Sequence, residues 1–423
     1  MDGMSCYTTE NQKITRRDFL RTATTLAAAA GVFSGCKEDN TFPDSRSMVA
    51  SPESRFEYLK VLLDEICSLG PRPIGSQSHE QAAAIIKREL ERALPDVFYD
   101  SFEFERWQLA ATPEFRIGDT RLETFPSHGS RGTGRQGVQG VLRRTREVVN
   151  LPYAIVDPDS GNQLAFVSLS EHGRAVPLPY YSYGLELKCL PIFNIGLQDI
   201  SSLNEAVEKQ SPVSAVSLVE FTPGVRTSNV VGRLPGQSRE EVVFLAHLDT
   251  VYNSPGASDN AASVIAMLMI AHAFSGARND KTMTFVATTG EEYNKLGAVN
   301  YALRRREEGT FDNIRFMVNL DSVTWGPDLK IHTGDEDLLK LILSIDRKLD
   351  IPGAPRWEGR DGFLLDGKPF REDTIRAVYV NSSGYNLTQL WHRPEDVPRH
   401  VPTDCVENWF RLFKEYSKRL MAL

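Results

Sequence analysis

The stretch that most constrains the fold covers residues 244–263, FLAHLDTVYNSPGASDNAAS. It reads as a short buried strand, a loop rich in Gly, Pro and Asn, and a helix that starts just after Asp259-Asn260. A strand–loop–helix unit of this kind places its sites at the mouth of the strand. His247 and Asp249 therefore share that mouth with Ser258, Asp259 and Asn260. An imidazole and a carboxylate brought together there are a natural pair of metal ligands.

The same alternation continues downstream. Apolar strands are expected at 230–234, 242–246, 282–287, 314–320 and 377–380, and helices at 261–274, 296–306, 336–349 and 405–420. Buried strands separated by helices predict an α/β fold with a mixed, largely parallel twisted sheet covered by helices on both faces. Upstream, residues 54–69 and 76–93 carry helical apolar stripes, and a strand follows near 97–104. Between residues 107 and 225 the text changes to short strand-like runs, including 190–195 and 213–219, with many Gly and Pro. One helix is expected there, at 199–210, with Asp199 as its N-cap. The expected organisation is a main domain of residues 54–106 and 226–423, interrupted by a β-rich subdomain at 107–225.

The first 36 residues read as a targeting segment. Thr15-Arg16-Arg17-Asp18-Phe19-Leu20 resembles a twin-arginine export signal, and the short apolar run after it ends in Phe33-Ser34-Gly35-Cys36, which is lipobox-like. The expectation is export to the periplasm or cell envelope, lipid anchoring at Cys36, and a polar tether over residues 37–53. No run after residue 36 reads as apolar enough to span a bilayer, so contact with a membrane is expected only through that anchor. A formal net charge of −8 gives no reason to expect a nucleic acid partner. Beyond Cys6 and Cys36 only Cys67, Cys189 and Cys405 remain, an odd and scattered set that spells neither a disulfide framework nor a cysteine zinc site.

Further acidic residues fall at strand ends. Glu291-Glu292 follow the strand at 282–287 and a Thr-Thr-Gly turn, and Asp321 directly ends the strand at 314–320. Each signal has an ordinary explanation: a turn aspartate at 249, a helix cap at 259, and acids in a helix's first turn at 291 and 292. An acid directly after a buried run must be paired, ligating or at the sheet rim. The last imidazole is His392 or His400. Asp404 and Glu407 make a good capping box for the C-terminal helix, which gives the segment around His400 a structural task and favours His392. The remaining His79, His128, His172, His272 and His332 read as surface or packing residues. Taken together, the strand-end residues are O and N donors suited to zinc or a similar divalent ion. An unligated glutamate beside them could accept a proton from an activated water.

These pieces in this order resemble the M28 family of zinc peptidases. The resemblance rests on His247-Leu248-Asp249, Gly256-Ala257-Ser258-Asp259-Asn260, Gly290-Glu291-Glu292, Asn319-Leu320-Asp321 and His392-Arg393-Pro394-Glu395-Asp396. Leu69-Gly70-Pro71-Arg72-Pro73 and Asp366-Gly367-Lys368-Pro369-Phe370 agree with it, and residues 190–231 are similar to a worn protease-associated domain. The resemblance implies a zinc-exopeptidase-like fold and two zinc ions. His247 and Asp321 would hold one ion, Glu292 and His392 the other, and Asp259 would bridge them. Asp249 would orient His247, and Glu291 would be the general base. Peptide or protein N-termini would be the substrates of such an aminopeptidase. Two positions depart from the family: Trp391, where Tyr is usual, and Gly297-Ala298, where Gly-Ser is common. Trp391-His392 also resembles glutaminyl cyclases, single-zinc acyltransferases, and a non-catalytic binding ectodomain can be built on the same fold.

Overall fold

The computed structural model describes residues 45–423 apart from 146–149, 171–172, 181–183, 186–187, 324–328, 353–355, 360–364, 371–374 and 383–388. Arg16, Arg17, Cys36 and His172 thus lie outside the described residues.

Helices α1 (Pro52–Cys67) and α2 (Gln77–Ala93) open the chain and lead into strand β1 (Asp96–Leu109). Ser51 caps α1 and Ser76 caps α2, each accepting a backbone N–H three residues on. The chain then builds a sheet of its own from β2 (Glu114–Ile117), β3 (Thr120–Leu122), β4 (Thr124–Pro126), β5 (Val138–Arg144), β6 (Tyr153–Val156), β7 (Gln163–Ser170), β8 (Ile192–Gly196) and β9 (Pro212–Val216). Helix α3 (Ile200–Lys209) packs Leu203 and Ala206 into the core of that sheet. Asp199 stands at its N-cap position, but its side chain accepts no capping bond.

The chain returns through β10 (Val219–Leu234) and then alternates: β11 (Glu241–His247), α4 (Ala262–Phe274), β12 (Thr282–Thr288), α5 (Leu296–Glu307) and β13 (Ile314–Leu320). It finishes with β14 (Leu329–His332), α6 (Glu336–Leu349), β15 (Arg356–Gly359), β16 (Arg376–Ser382) and α7 (Thr403–Ala422). The sheet order is β1-β10-β12-β11-β13-β16-β14-β15. Its centre, β12-β11-β13-β16, is parallel, whereas β10 joins β12, and β14 joins β16, antiparallel.

Alternation along the strands divides the core in two. Val242, Phe244 and Ala246 of β11 face α1, α2, α4, α6 and α7, while Val243 and Leu245 face α5 and the turn at Phe370. Both faces are therefore covered by helices, as the apolar strands required. The segment Ala257–Phe274 is long and apolar enough to cross a membrane by composition, contrary to the sequence expectation, but 94% of it is buried as the central helix of this core.

Two further expectations are corrected. The strand near 97–104 extends to Leu109 because it pairs with β10 along a long antiparallel ribbon. Residues 107–109 and 219–225 therefore continue the first sheet, although both were assigned to the subdomain. The capping box at Asp404 and Glu407 does not form. Pro402 holds the N-cap position of α7, and Glu407 instead takes both Nε and Nη2 of the buried Arg55, at 2.6 and 2.5 Å.

Asp335 caps α6 through the N–H groups of Asp337 and Leu338, and it also accepts from Arg376 at 2.5 and 3.0 Å. The hydrogen-bonded Arg376 guanidinium holds this carboxyl below its ordinary value of 3.8, against a smaller effect of burial. A depressed carboxyl contributes stability that is present above its unfolded pKa and is lost as pH falls through its folded one. Asp335→Asn is accordingly expected to lower stability at neutral pH. Its difference from wild type should shrink as pH drops below about 3.8, as measured by urea unfolding across a pH series.

Candidate metal centre

The parallel strands carry their first polar residues to one rim. His247 is the last residue of β11, Asp321 directly follows β13, and Glu291 and Glu292 follow β12 across a turn at Gly290. Gly290 has φ 74°, and a Cβ there would lie 2.6 Å from Ile74, so only glycine makes this turn comfortably. Asp259 is not a helix cap: α4 starts at Ala262, and Asp259 lies in the preceding turn, where its peptide bond to Asn260 is cis. Glu291 and Glu292 likewise precede α5 and are not part of its first turn.

One donor atom from each of His247, Asp259 and Asp321 lies within 4.8 Å of the other two, and the same holds for Asp259, Glu292 and His392. Asp259 belongs to both groups and divides its carboxylate between them. Its Oδ1 is 3.2 Å from His247 Nε2, and its Oδ2 is 3.6 Å from His392 Nε2. His247 Nε2 also lies 3.7 Å from Asp321 Oδ1, and His392 Nε2 lies 3.0 Å from Glu292 Oε1. His400 stays outside, with Nδ1 held 2.8 Å from the Glu395 carbonyl.

Backbone carbonyls orient both imidazoles. His247 Nδ1 is 3.1 Å from the Asp249 carbonyl, and His392 Nδ1 is 2.7 Å from that of Pro177. Each ring therefore turns Nε2 toward the acids, a common arrangement for ligating histidines. The Asp249 carboxylate was expected to orient His247, but it is 3.7 Å from that ring. Its closer contacts are the N–H groups of Gly290, Glu291 and Glu292, which it accepts at 2.8, 3.1 and 3.3 Å. Asp249 thus holds the whole glutamate turn against the end of β11.

Other side chains brace the centre in roles that the sequence did not assign to them. Asp396 accepts the N–H groups of Ser258 and Asp259 at 2.8 and 3.0 Å. Asn260 ties the same turn to β13, donating to the Leu320 carbonyl at 3.0 Å and accepting from Ser322 N–H at 2.9 Å. The fully buried Arg72 donates to the carbonyls of Leu248, Pro255 and Gly256. His79, expected to be a packing residue, is buried and hydrogen-bonds Thr289 behind the turn. These supports arise from side chains far apart in the chain, and no local pattern reports them.

The electrostatics show how strongly the cluster attracts cations. Burial opposes charge on His247, yet the nearby carboxylates of Asp249, Asp259 and Asp321 raise it well above an ordinary histidine. His392 is likewise pushed up to about 9 by Glu292 and Asp259, against burial. Burial raises Glu291 to about 8, against the pull of Lys295 and His247. Acids that draw protons onto both imidazoles will exchange those protons for divalent cations, because both take the positive place in the cluster. The N and O donor set fits zinc, which accepts histidine and carboxylate ligands together.

Paired imidazole–carboxylate groups thus meet at the C-terminal rim of this helix-covered sheet and form a candidate two-ion centre. Residues 229–417 match the model of peptidase family M28. The chain is similar to the alkaline phosphatase isozyme conversion protein of Escherichia coli K12, 31% identical over 190 residues that cover 38% of this chain and 55% of that one. It is also similar to aminopeptidase YwaD of Bacillus subtilis 168, 24% identical over 227 residues, or 52% of this chain and 49% of that one. The chain thus spans about half the length of these relatives. In fold it is similar to BSAP, a zinc aminopeptidase from Bacillus subtilis, with a TM-score of 0.67, 19% identity, and 88% and 95% of the two chains covered.

Arg72→Met removes the donors of three buried carbonyls in the loop that joins His247 to Asp259. It is expected to cost at least about 1–3 kcal/mol of stability. Urea unfolding would show this, and the loss of zinc binding in equilibrium dialysis should accompany it.

Proposed function

We propose that this protein is an exported, two-zinc peptidase that removes residues from the N-termini of peptides or proteins. The observation that carries the reading is the divided carboxylate of Asp259, one oxygen toward His247 and Asp321 and the other toward Glu292 and His392. A single-ion site needs one such group; two groups sharing an aspartate suit two ions. The family match supports hydrolysis of peptide bonds, and the named activity of the B. subtilis relative supports attack at the N-terminus.

In this reading His247 and Asp321 would hold one zinc and Glu292 and His392 the other, with Asp259 contributing to both groups. Bound there, the ions would acidify a water and polarise the scissile carbonyl. Glu291 belongs to neither group and lies beside them on the same turn as Glu292, so it is placed to take the proton from water and return it to the leaving amine. Asp249 keeps Glu291 at the reaction centre through the backbone of its turn. Trp391 stacks on His392, with ring centroids 3.8 Å apart, in the place where a tyrosine hydroxyl is usual. An indole supplies only an N–H donor, so any support of a developing oxyanion from this position differs from that of a phenol. Residues 1–36 would direct export with a lipid on Cys36, and the β-rich sheet between residues 110 and 218 would form a protease-associated-like subdomain.

Glu291→Gln is expected to retain metal and lose turnover by about 10²–10⁴-fold, read by steady-state kinetics on aminoacyl substrates. Unchanged turnover would remove Glu291 from the mechanism. Metal analysis of the purified protein should find close to two zinc ions per chain, and a peptide-library digest should yield chains shortened from the N-terminus. One ion per chain together with pyroglutamate products would replace this reading with that of a cyclase. Release of the protein from membranes only by detergent would support the anchor, and an intact N-terminus in the cytosolic fraction would refute export.

A further inference from the structure

Two adjacent glutamates with the same chemistry receive different surroundings. Glu292 is met by His392 at 3.0 Å, within one of the two donor groups. Glu291 is met instead by Lys295, whose Nζ lies 3.0 Å from Glu291 Oε1. Lys295 is an improbable residue for its position on three physical grounds. Its ammonium is buried, with the residue 5% exposed, where an unpaired charge is costly. It occupies the N-cap position of α5, where the helix dipole disfavours a cation. Its backbone is left-handed, with φ 58°, which a side chain of this kind rarely adopts.

The local geometry shows what offsets those costs. The Lys295 N–H donates to the Glu291 carbonyl at 3.1 Å, closing a turn that returns the ammonium onto the carboxylate four residues earlier. Asp249 holds the other side of this turn by its N–H groups. Asp366, buried beside Thr288, and Glu292 add negative charge that favours the charged form of the ammonium. The Glu291 side chain is thereby drawn toward α5, while that of Glu292 is drawn toward His392.

Resting on the reading of Glu291 as general base, we propose that Lys295 is a positioning residue that separates the roles of the paired glutamates. It fixes one oxygen of Glu291 and keeps that carboxylate out of the ion-binding set, in place to exchange a proton with water. Nothing in the pattern G-E-E marks this lysine, because the contact depends on the turn conformation of Asn294 and Lys295.

A double-mutant cycle tests the assignment, because residues acting through one another are non-additive. Lys295→Met should lower kcat by roughly 10- to 100-fold, with KM and zinc content nearly unchanged. In a Glu291→Gln background the same substitution should cause no further loss. The metal-free protein supplies a readout that does not depend on activity. Lys295→Met should lower its melting temperature by leaving Glu291 buried without its cation, and adding Glu291→Gln should recover most of that loss. Lys295→Arg, which keeps the charge, should retain more kcat and melting temperature than the Met variant. An equal loss of turnover in both backgrounds, loss of zinc with Lys295→Met, or an unchanged kcat would overturn the assignment. Full activity in Glu291→Gln alone would instead overturn the general-base reading on which it rests.

Discussion

Burying several carboxylates within a few ångströms of one another is the constraint on which the rest of this structure depends. Each isolated carboxylate would cost several kcal/mol in the interior. The chain meets that cost with directed partners. Asp249 accepts three backbone N–H groups, Asp396 accepts two, and Asp259 faces two imidazoles. The residual negative charge pulls protons onto His247 and His392, the place that a divalent cation would take. The acidity of the site and its capacity for metal are therefore the same physical property.

The supports also explain why the second sheet matters to a site on the first. Pro177 lies in the segment between β7 and β8, and its carbonyl orients His392 from 215 residues away in the chain. Arg174 of the same segment pairs with Glu395 at 2.9 Å, and Tyr252 donates to the Pro126 carbonyl at 2.8 Å. The β-rich sheet is thus attached on both sides of the centre, to the loop before Asp259 and to the segment after His392. It braces the imidazole that would otherwise hang from a loop, where φ is 57° and the backbone has little local reason to hold that shape.

The central strands were legible because they are continuous apolar runs, and the site residues because they interrupt those runs at their ends. His247, Glu291, Glu292 and Asp321 could be placed on one rim from this pattern alone. Local rules failed where a distant partner prevailed. Glu407 seemed a capping residue, but Arg55 from the first helix captures it. Asp259 had the sequence context of a cap, yet Asp396 and the two imidazoles hold it in a separate turn before α4. His392 was preferred to His400 on the strength of the cap that does not form. The centre selects it for a different reason, its Nε2 lying beside Glu292 and Asp259.

By itself the sequence determined the covered, largely parallel sheet and the chemistry available at its strand ends. Both depend on periodicity and residue type, which are local properties of the text. Only the tertiary structure decided that the Asp259 carboxylate divides between two donor groups and that Asp249 holds the glutamate turn. It also decided that the paired glutamates part, one toward His392 and the other toward Lys295. Those outcomes depend on turn dihedrals and on contacts across many residues, and hydrogen bonding acts on distances in space, which no spacing along the chain records.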